Sequence, residues 1–564
     1  MADLFDSYEL AGSWDETFAS ADSPRPSYES ILTALQPLGA AELQPRVDAL
    51  ARTFMNRGVT FAYDGQERPF PTDIVPRVID ADEWDLIDRG VQQRVRTLEA
   101  FLADVYGPGQ VLADGIVPRE VVLTSNHFHR ESFGIEPPNG VRIHVSGIDL
   151  IRDTEGTFRV LEDNVRIPSG VSYVIENRHA LTQVLPEAFA SSRVRPVSDY
   201  ANRLHAALRA AAPYGVDDPT IVVLTPGVHN SAYFEHALLA RQMGVELVEG
   251  RDLFCAGNRV FMPTTAGERP VHVIYRRVDD EYLDPVQFMP GSVLGCLGLV
   301  NAARAGHVVL ANAIGNGVAD DKLIYSYVPD LIRYYTGEEP ILPNVETYRL
   351  GDPDAREYVL DRLDQLVLKP VDGSGGKGLV IGPQADERTL DVLRRKVIAD
   401  PRAWIAQPVI SMSTVPTFVG DAFQPRHVDL RPFAVNDGEK VWVLPGGLTR
   451  VALGEGQLVV NSSRGGGSKD TWVLAAGEER TVSVDLGDLS EAAAEHPTLP
   501  ELSDGDVEAL RQAQGSWGQA QGSWGQARDS WVQANGTFDS MDDEFAPRDF
   551  GPAGSSSAQQ QQQQ

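Results

Sequence analysis

Two lysines bracket a glycine-rich stretch in Leu366-Val-Leu-Lys369-Pro370-Val-Asp-Gly373-Ser374-Gly375-Gly376-Lys377-Gly378-Leu-Val-Ile381. Glycine lets phosphate oxygens reach backbone N–H groups, and lysine brings a compact charge to them on a flexible stem. The choice of cation sharpens this reading. Lysine occurs only at 322, 369, 377, 396, 440 and 469, whereas arginine serves everywhere else. A lysine kept against that background suggests a point-charge role rather than a bidentate one. Lys322, which follows the acidic pair Asp320-Asp321, is a further candidate. These residue types point to a nucleotide-phosphate site.

As a string, Gly373 to Gly378 also fits a dinucleotide fingerprint and a kinase glycine loop. The first needs a helix after the third glycine, but Leu379-Val-Ile381 reads as a strand that Pro383 ends. The second needs catalytic-loop and Asp-Phe-Gly signatures downstream, and the chain lacks them. A P-loop needs Ser or Thr after its lysine, and Gly378 stands there. Two readings remain: a strand–loop–strand flap over a triphosphate, and a glycine hairpin without a ligand.

A second set of chemically able residues lies upstream, in Gly147-Ile-Asp149-Leu-Ile-Arg-Asp153-Thr-Glu-Gly156-Thr-Phe-Arg-Val-Leu-Glu162-Asp163-Asn164. Asp153 to Gly156 supplies turn residues between two strand patterns. An even loop puts Asp149 opposite Val160, on a shared face. Alternation then places Glu162 and Asn164 on that face and Asp163 on the other. Asp149, Glu162 and Asn164 would present hard oxygen donors suited to Mg²⁺ that also bridges phosphates. An odd loop would break this parity, and a solvated polar hairpin face is the competing reading.

The elements that must position these groups follow from pattern. With 564 residues and 42% hydrophobic content, the chain can bury a large core. Residues 1–110 read as mostly helical, with Val91, Val95, Leu98, Phe101 and Leu102 at helical spacing. Residues 111–200 hold the candidate metal hairpin. In 201–318, runs such as Ile221–Leu224 alternate with helical stretches, as in a Rossmann-like α/β unit with a parallel sheet. Residues 319–475 carry the glycine loop. From 476 to 564 the chain turns acidic and repetitive and ends in glutamines, the composition of a disordered tail. Within it Trp517, Trp524 and Trp531 recur at seven-residue intervals and could anchor a protein partner.

A net charge of −31 argues against a nucleic-acid partner, because phosphate binding by counterion release needs a basic surface. No apolar run could span a bilayer. The acidic N-terminus lacks a signal pattern, and the two cysteines, Cys255 and Cys296, form no disulfide framework or metal spacing. A cytoplasmic setting is expected.

The Asp149…Glu162-x-Asn164 pattern followed by Pro168-Ser-Gly170 resembles the metal motif of D-alanine–D-alanine ligases and glutathionylspermidine synthetase. Lys369-Pro370 and the glycine flap resemble the phosphate lobe of the same ATP-grasp superfamily. Here the metal motif precedes the lysine motif, the chain order of the circularly permuted ATP-grasp proteins of type 2, and the resemblance runs from about Phe5 to Leu474. It implies an α/β fold, a permuted ATP-grasp with an embedded Rossmann-like unit and a helical N-terminal region.

For ATP, the resemblance implies Lys322 at the α-phosphate, Lys369 as the second lysine, and Gly373, Ser374, Gly375 and Gly376 around the β- and γ-phosphates. Gln407 and Val409 would meet adenine, while Asp149, Glu162 and Asn164 would hold Mg²⁺. Many relatives carry arginine two residues before the first metal aspartate, where this chain has Gly147. The transition-state cation must then come from elsewhere, with Arg431 first and Arg142 and Arg277 behind it. The implied reaction joins a small-molecule or peptide carboxylate to an amine through an acyl phosphate. A nucleotide-binding scaffold with little turnover and a small-molecule kinase are the alternatives.

Overall fold

The computed structural model describes residue 5 and residues 8–476, apart from 22, 64–65, 374–377, 455, 458–459 and 461–465. The tryptophan repeat and the rest of 477–564 therefore lie outside the described residues, as do Ser374, Gly375, Gly376 and Lys377.

Helices α1 (Ala40–Asn56) and α2 (Ala81–Val105) dominate the N-terminal region. Along α2, Trp84, Ile87, Val91, Val95, Leu98, Phe101 and Leu102 are buried as one stripe, which is what their spacing dictates. The region is less uniformly helical than its pattern suggests, with short strands at Phe18–Ser20, Thr60–Tyr63, Gln66–Pro69 and Arg77–Ile79. Arg77–Ile79 is extended because it pairs in parallel with Thr471–Val473, a partner that no local window contains.

Strands β1 (Val145–Arg152) and β2 (Phe158–Asn164) form an antiparallel hairpin. Helix α3 (Val171–Val184) follows. Strands β3 (Ile221–Leu224), β4 (Glu246–Val248), β5 (Val273–Arg276) and β6 (Val309–Ala311) build an all-parallel sheet in the order β6-β5-β3-β4. The antiparallel meander Phe254–Ala256, Arg259–Thr264 and Gly267–Val271 is inserted between β4 and β5. Strands β3, β5 and β6 are buried along their whole length, the mark of a covered parallel sheet, while the edge strand β4 begins with the exposed Glu246.

A smaller antiparallel sheet holds β7 (Tyr348–Arg349), β8 (Leu366–Pro370), β9 (Val380–Ile381) and β10 (Trp404–Pro408) in the order β7-β10-β8-β9. Leu366, Leu368 and Ala406 pack with Val359, Leu393 and Val397 of helices α4 (Pro353–Leu360) and α5 (Glu387–Ala399). Lys369 pairs with Ile405 and Val367 with Gln407, so alternation puts Lys369 and Gln407 together on the opposite face. After the glycine-rich segment come β9 and a 3-10 turn at Gly382–Gln384 rather than a helix.

The chain then returns to the hairpin. Strands β11 (Thr414–Val419), β12 (Ala422–Arg431), β13 (Phe433–Asn436), β14 (Val441–Val443), β15 (Leu448–Val451) and β16 (Gly467–Lys469) join β1 and β2 in an eight-stranded sheet. Its path is β14-β13-β1-β12-β15-β16, with β2 on β1 and β11 on β12. One face buries Ile148, Leu150 and Leu430 against α2, and the other buries Val145, Phe433 and Leu448 against α3 and the parallel sheet. Among the described residues no helix is long and apolar enough to cross a membrane.

Candidate active site

The metal hairpin reaches its expected parity by a different register. Arg152 pairs with Phe158, so the loop is 153–157, an odd length that alone would have put Glu162 on the wrong face. The Asp153 carboxylate closes it, accepting from the Glu155 and Thr157 N–H groups at 3.0 and 2.9 Å, and Gly156 takes the left-handed conformation at φ +82°. A bulge then restores parity: Leu150 pairs with Val160 but Asp149 with Glu162, leaving Leu161 as the extra residue. Its cause is visible in Val160, whose N–H donates to the Pro343 carbonyl and whose carbonyl accepts from the Val345 N–H, both at 2.9 Å. The Asp149–Val160 pairing expected from an even loop is therefore corrected.

Asp149 and Glu162 are directly opposed, and Asn164 is opposite Gly147 two residues along, so the three share one face. Asp163 points away and is buried in a bidentate pair with Arg94, at 2.5 and 2.8 Å. Among the described residues no group of three His, Cys, Asp or Glu side chains is placed for a metal. The Asn164 Nδ2 is buried without a hydrogen-bond partner among the described residues.

Two arginines converge on Asp149. Arg431 is bidentate to it at 2.5 and 2.8 Å, and Arg450 Nη2 reaches Oδ2 at 2.7 Å. Burial works to raise the Asp149 carboxyl, but Arg431 and then Arg450 overcome it and hold the group down at about 2. Arg450 is fixed by Asp429, its opposed neighbour across β12 and β15. Arg450 and Asp429 were not foreseen. The available signal was a charged residue inside each of two apolar strand patterns, Val428-Asp-Leu430 and Thr449-Arg-Val451.

Lys322 links the hairpin to the flap. Its Nζ lies 3.8 Å from Glu162 Oε2 and donates to the Gly373 carbonyl, and its N–H donates to the Val371 carbonyl at 3.2 Å. The acidic pair before it builds this placement. Asp320 accepts from the Val165 N–H at 2.6 Å and Arg166 Nε at 3.0 Å, which fixes the chain after Asn164. Burial raises the Asp320 carboxyl to about 6 although Arg166 pulls the other way. Asp321 caps the short helix Lys322–Tyr325 by accepting from the Leu323 N–H at 2.8 Å.

Lys369 faces the same space. Burial lowers its ammonium to about 8, helped by Lys322 and opposed by Glu162 and Asp149. Gln407 Nε2 donates to Thr347 Oγ1 at 2.9 Å. Val409 directly follows β10. Gly373 stands at the root of the flap, where Asn126 Nδ2 donates to the neighbouring Asp372 at 2.9 Å.

Arg142 and Arg277 do not join this cluster. Arg142 is buried against Tyr106 and donates to the Ile135 carbonyl at 3.1 Å. Arg277 pairs with Glu235 at 3.0 Å and donates to the Pro168 carbonyl at 2.8 Å. Glu235 also accepts from the N–H groups of Gly170 and Ser172, so Arg277 and Glu235 together set the loop behind Asn164. Of the polar groups on either side of the hairpin, Glu176 pairs with Arg57, Asn177 bonds Ser468 and Arg178 pairs with Asp470. Lys469, also outside the cluster, is buried and pairs with Asp73 while donating to the Pro416 carbonyl at 2.9 Å.

A family model described as circularly permuted ATP-grasp type 2 matches residues 76–452. An uncharacterized protein of Mycobacterium tuberculosis is 62% identical over 470 residues, covering 83% of this chain and 85% of that one. A Frankia alni protein with the provisional name glutamate–cysteine ligase 2-3 is 46% identical over 473 residues, 83% of this chain but only 54% of its own length. The solved structure of a glutathione synthetase-like effector from Globodera pallida superposes with a TM-score of 0.52 at 11% identity, covering 78% of this chain and 98% of that one, a likeness of fold alone.

Proposed function

Because the chain belongs to the circularly permuted ATP-grasp type 2 family, we propose that it is an ATP- and Mg²⁺-dependent carboxylate–amine ligase that works through an acyl phosphate. The observation that carries this is the meeting of Lys322 and Glu162 at 3.8 Å, where the oxygen-bearing hairpin face adjoins a lysine that also bonds the Gly373 carbonyl. That arrangement suits a nucleotide whose phosphates need lysines on one side and metal on the other. The Frankia relative supplies little beyond this, since nearly half of it lies outside the match.

The donors suit Mg²⁺ in type, being carboxylate and amide oxygens on one face, with the Asp149 oxygens also engaged by Arg431 and Arg450. Bound there, Mg²⁺ would neutralise charge on the β- and γ-phosphoryl oxygens. Lys369 holds the phosphates, and Lys322 ties them to the flap. Gln407 accepts from the adenine amine beside Val409. Arg431, held by Asp149, is the candidate cation for the transferred group, and Arg450 bonds the same carboxylate.

In the reaction, a carboxylate oxygen of the acid attacks the γ-phosphorus and ADP leaves. An amine then attacks the acyl carbon, phosphate departs and the amine nitrogen gives up a proton. Both steps move negative charge, which explains a site rich in cations and poor in bases.

The test mixes protein, Mg²⁺ and ATP with pooled amino acids and polyamines and follows ADP release with hydroxylamine trapping. Hydroxamate supports the ligase. ADP without hydroxamate would identify a kinase, and the absence of both would identify a nucleotide-binding scaffold.

A further inference from the structure

The only two cysteines in the 564-residue chain come together. Cys255 Sγ and Cys296 Sγ lie 3.5 Å apart, both as free thiols. Cys255 sits in the meander strand Phe254–Ala256, opposite Val260, and Cys296 precedes the helix Leu299–Arg304. We propose that this pair is a modification site, a dithiol that closes reversibly to a disulfide when a hydroperoxide reaches it.

The surroundings hold both backbones in place for this step. The Cys296 N–H donates to the Leu283 carbonyl at 2.9 Å. Asp284 accepts from the Gly298 and Val300 N–H groups at 3.1 and 3.0 Å, which fixes the turn after Cys296. Two glycines make the approach sterically possible. A Cβ on Gly295 would lie 1.9 Å from the Leu283 carbonyl oxygen, and one on Gly250 would lie 2.3 Å from that of Gly295. The close contact is therefore a product of the packed fold rather than of two mobile side chains.

The two thiols are unequal, which sets the order of events. Cys255 is partly exposed, and Cys296 is 3% exposed. The hydrogen bond between the two sulfurs lowers the Cys255 thiol, while the same bond and burial raise Cys296. Cys255 is thus the sulfur that oxidant meets first and the more readily ionised of the two. Its thiolate attacks one peroxide oxygen, the O–O bond breaks, and Cys255 sulfenic acid and water form. Cys296 sulfur then attacks the Cys255 sulfur, the S–O bond breaks, and a second water leaves with the Cys296 proton. With hydrogen peroxide as the hydroperoxide, the sum consumes two thiols and one peroxide and yields one disulfide and two waters. A thiol reductant reverses it.

The closed form would tie the meander to the segment before Leu299, joining positions 41 apart in sequence. That linkage restricts the unfolded chain and should raise the melting temperature of the oxidised protein.

The experiment treats the folded full-length chain with hydrogen peroxide and measures intact mass, alkylation under denaturing conditions and peptide linkage. The expected result is a loss of the mass of two hydrogen atoms, disappearance of both alkylation sites, a Cys255–Cys296 linked peptide, and recovery with dithiothreitol. Cys255→Ser and Cys296→Ser should each abolish the link. The proposal is overturned if both thiols stay alkylatable after peroxide. It is equally overturned if Cys255 gains oxygen without a cross-link, or if the link forms only in denatured protein. None of these readouts depends on the ligase reading.

Discussion

Gly147 and Arg431 share one small volume. A Cβ on Gly147 would lie 3.0 Å from Arg431 Cδ and 3.2 Å from its Cγ, with Pro168 Cβ also at 3.2 Å. The missing side chain on β1 is thus the space through which an arginine from β12 reaches Asp149. At this position β1 leaves a gap, and the neighbouring strand fills it with Arg431. Gly147→Ala should push Arg431 off the carboxylate. We expect ATP turnover to fall roughly 10- to 100-fold, with ATP affinity in calorimetric titration nearly unchanged. Turnover equal to wild type would mean that Arg431 does not act where it is seated.

The lysines should separate cleanly. Lys369→Ala should abolish ATP binding by calorimetry, while Lys440→Ala, in the exposed Asp437–Lys440 turn, should bind as wild type. Equal loss in both would remove the assignment.

Lys369 also predicts a pH dependence. Its ammonium is lowered to about 8, and ATP binds the charged form, so affinity should be full below that value and decline as pH rises through it. Lys369→Arg keeps its charge across the range and should flatten the profile. A wild-type affinity that is constant from pH 7 to 9.5 would contradict this.

On the hairpin, Glu162→Gln and Asn164→Ala should weaken Mg²⁺-dependent turnover while leaving the fold intact. Asp163→Asn should act differently. It strips half of a buried pair from Arg94, at a cost of about 3–5 kcal/mol in unfolding free energy. The check is a Mg²⁺ titration of ATPase activity beside a denaturant melt for each variant. A shifted Mg²⁺ requirement in Asp163→Asn, without loss of stability, would reverse the two faces.

Lys469→Ala should lower stability by about 3–5 kcal/mol, because Asp73 would lose its buried cation. A denaturant melt measures it, and ATP affinity in the folded fraction should not change.

Much of this was legible in the sequence. The strands on either side of the glycine-rich segment and the shared face of Asp149, Glu162 and Asn164 follow from residue type and alternation, which are local. What escaped was long-range. The even loop was wrong, and the conclusion survived only because the 343–345 segment draws Val160 into a bulge. Arg450 reaches Asp149 only because β12 and β15 are neighbours. Arg277 and Arg142 were plausible as cations, but Glu235 and the Tyr106 ring engage them elsewhere. Lys469 shows that a rare lysine can equally be a structural clamp.

The order of strands in the large sheet has a consequence for how the protein is made. β1 emerges from the ribosome early, yet its neighbours β12 and β13 belong to the last part of the described chain. Arg431 follows Asp149 by 282 residues. At about 5–20 residues per second, the carboxylate waits roughly 15–55 s for its arginine. During that interval one edge of β1 lacks its partners and Asp149 lacks its counter-charge. A nascent chain released before β12 would carry Asp149 without Arg431 to pair with it.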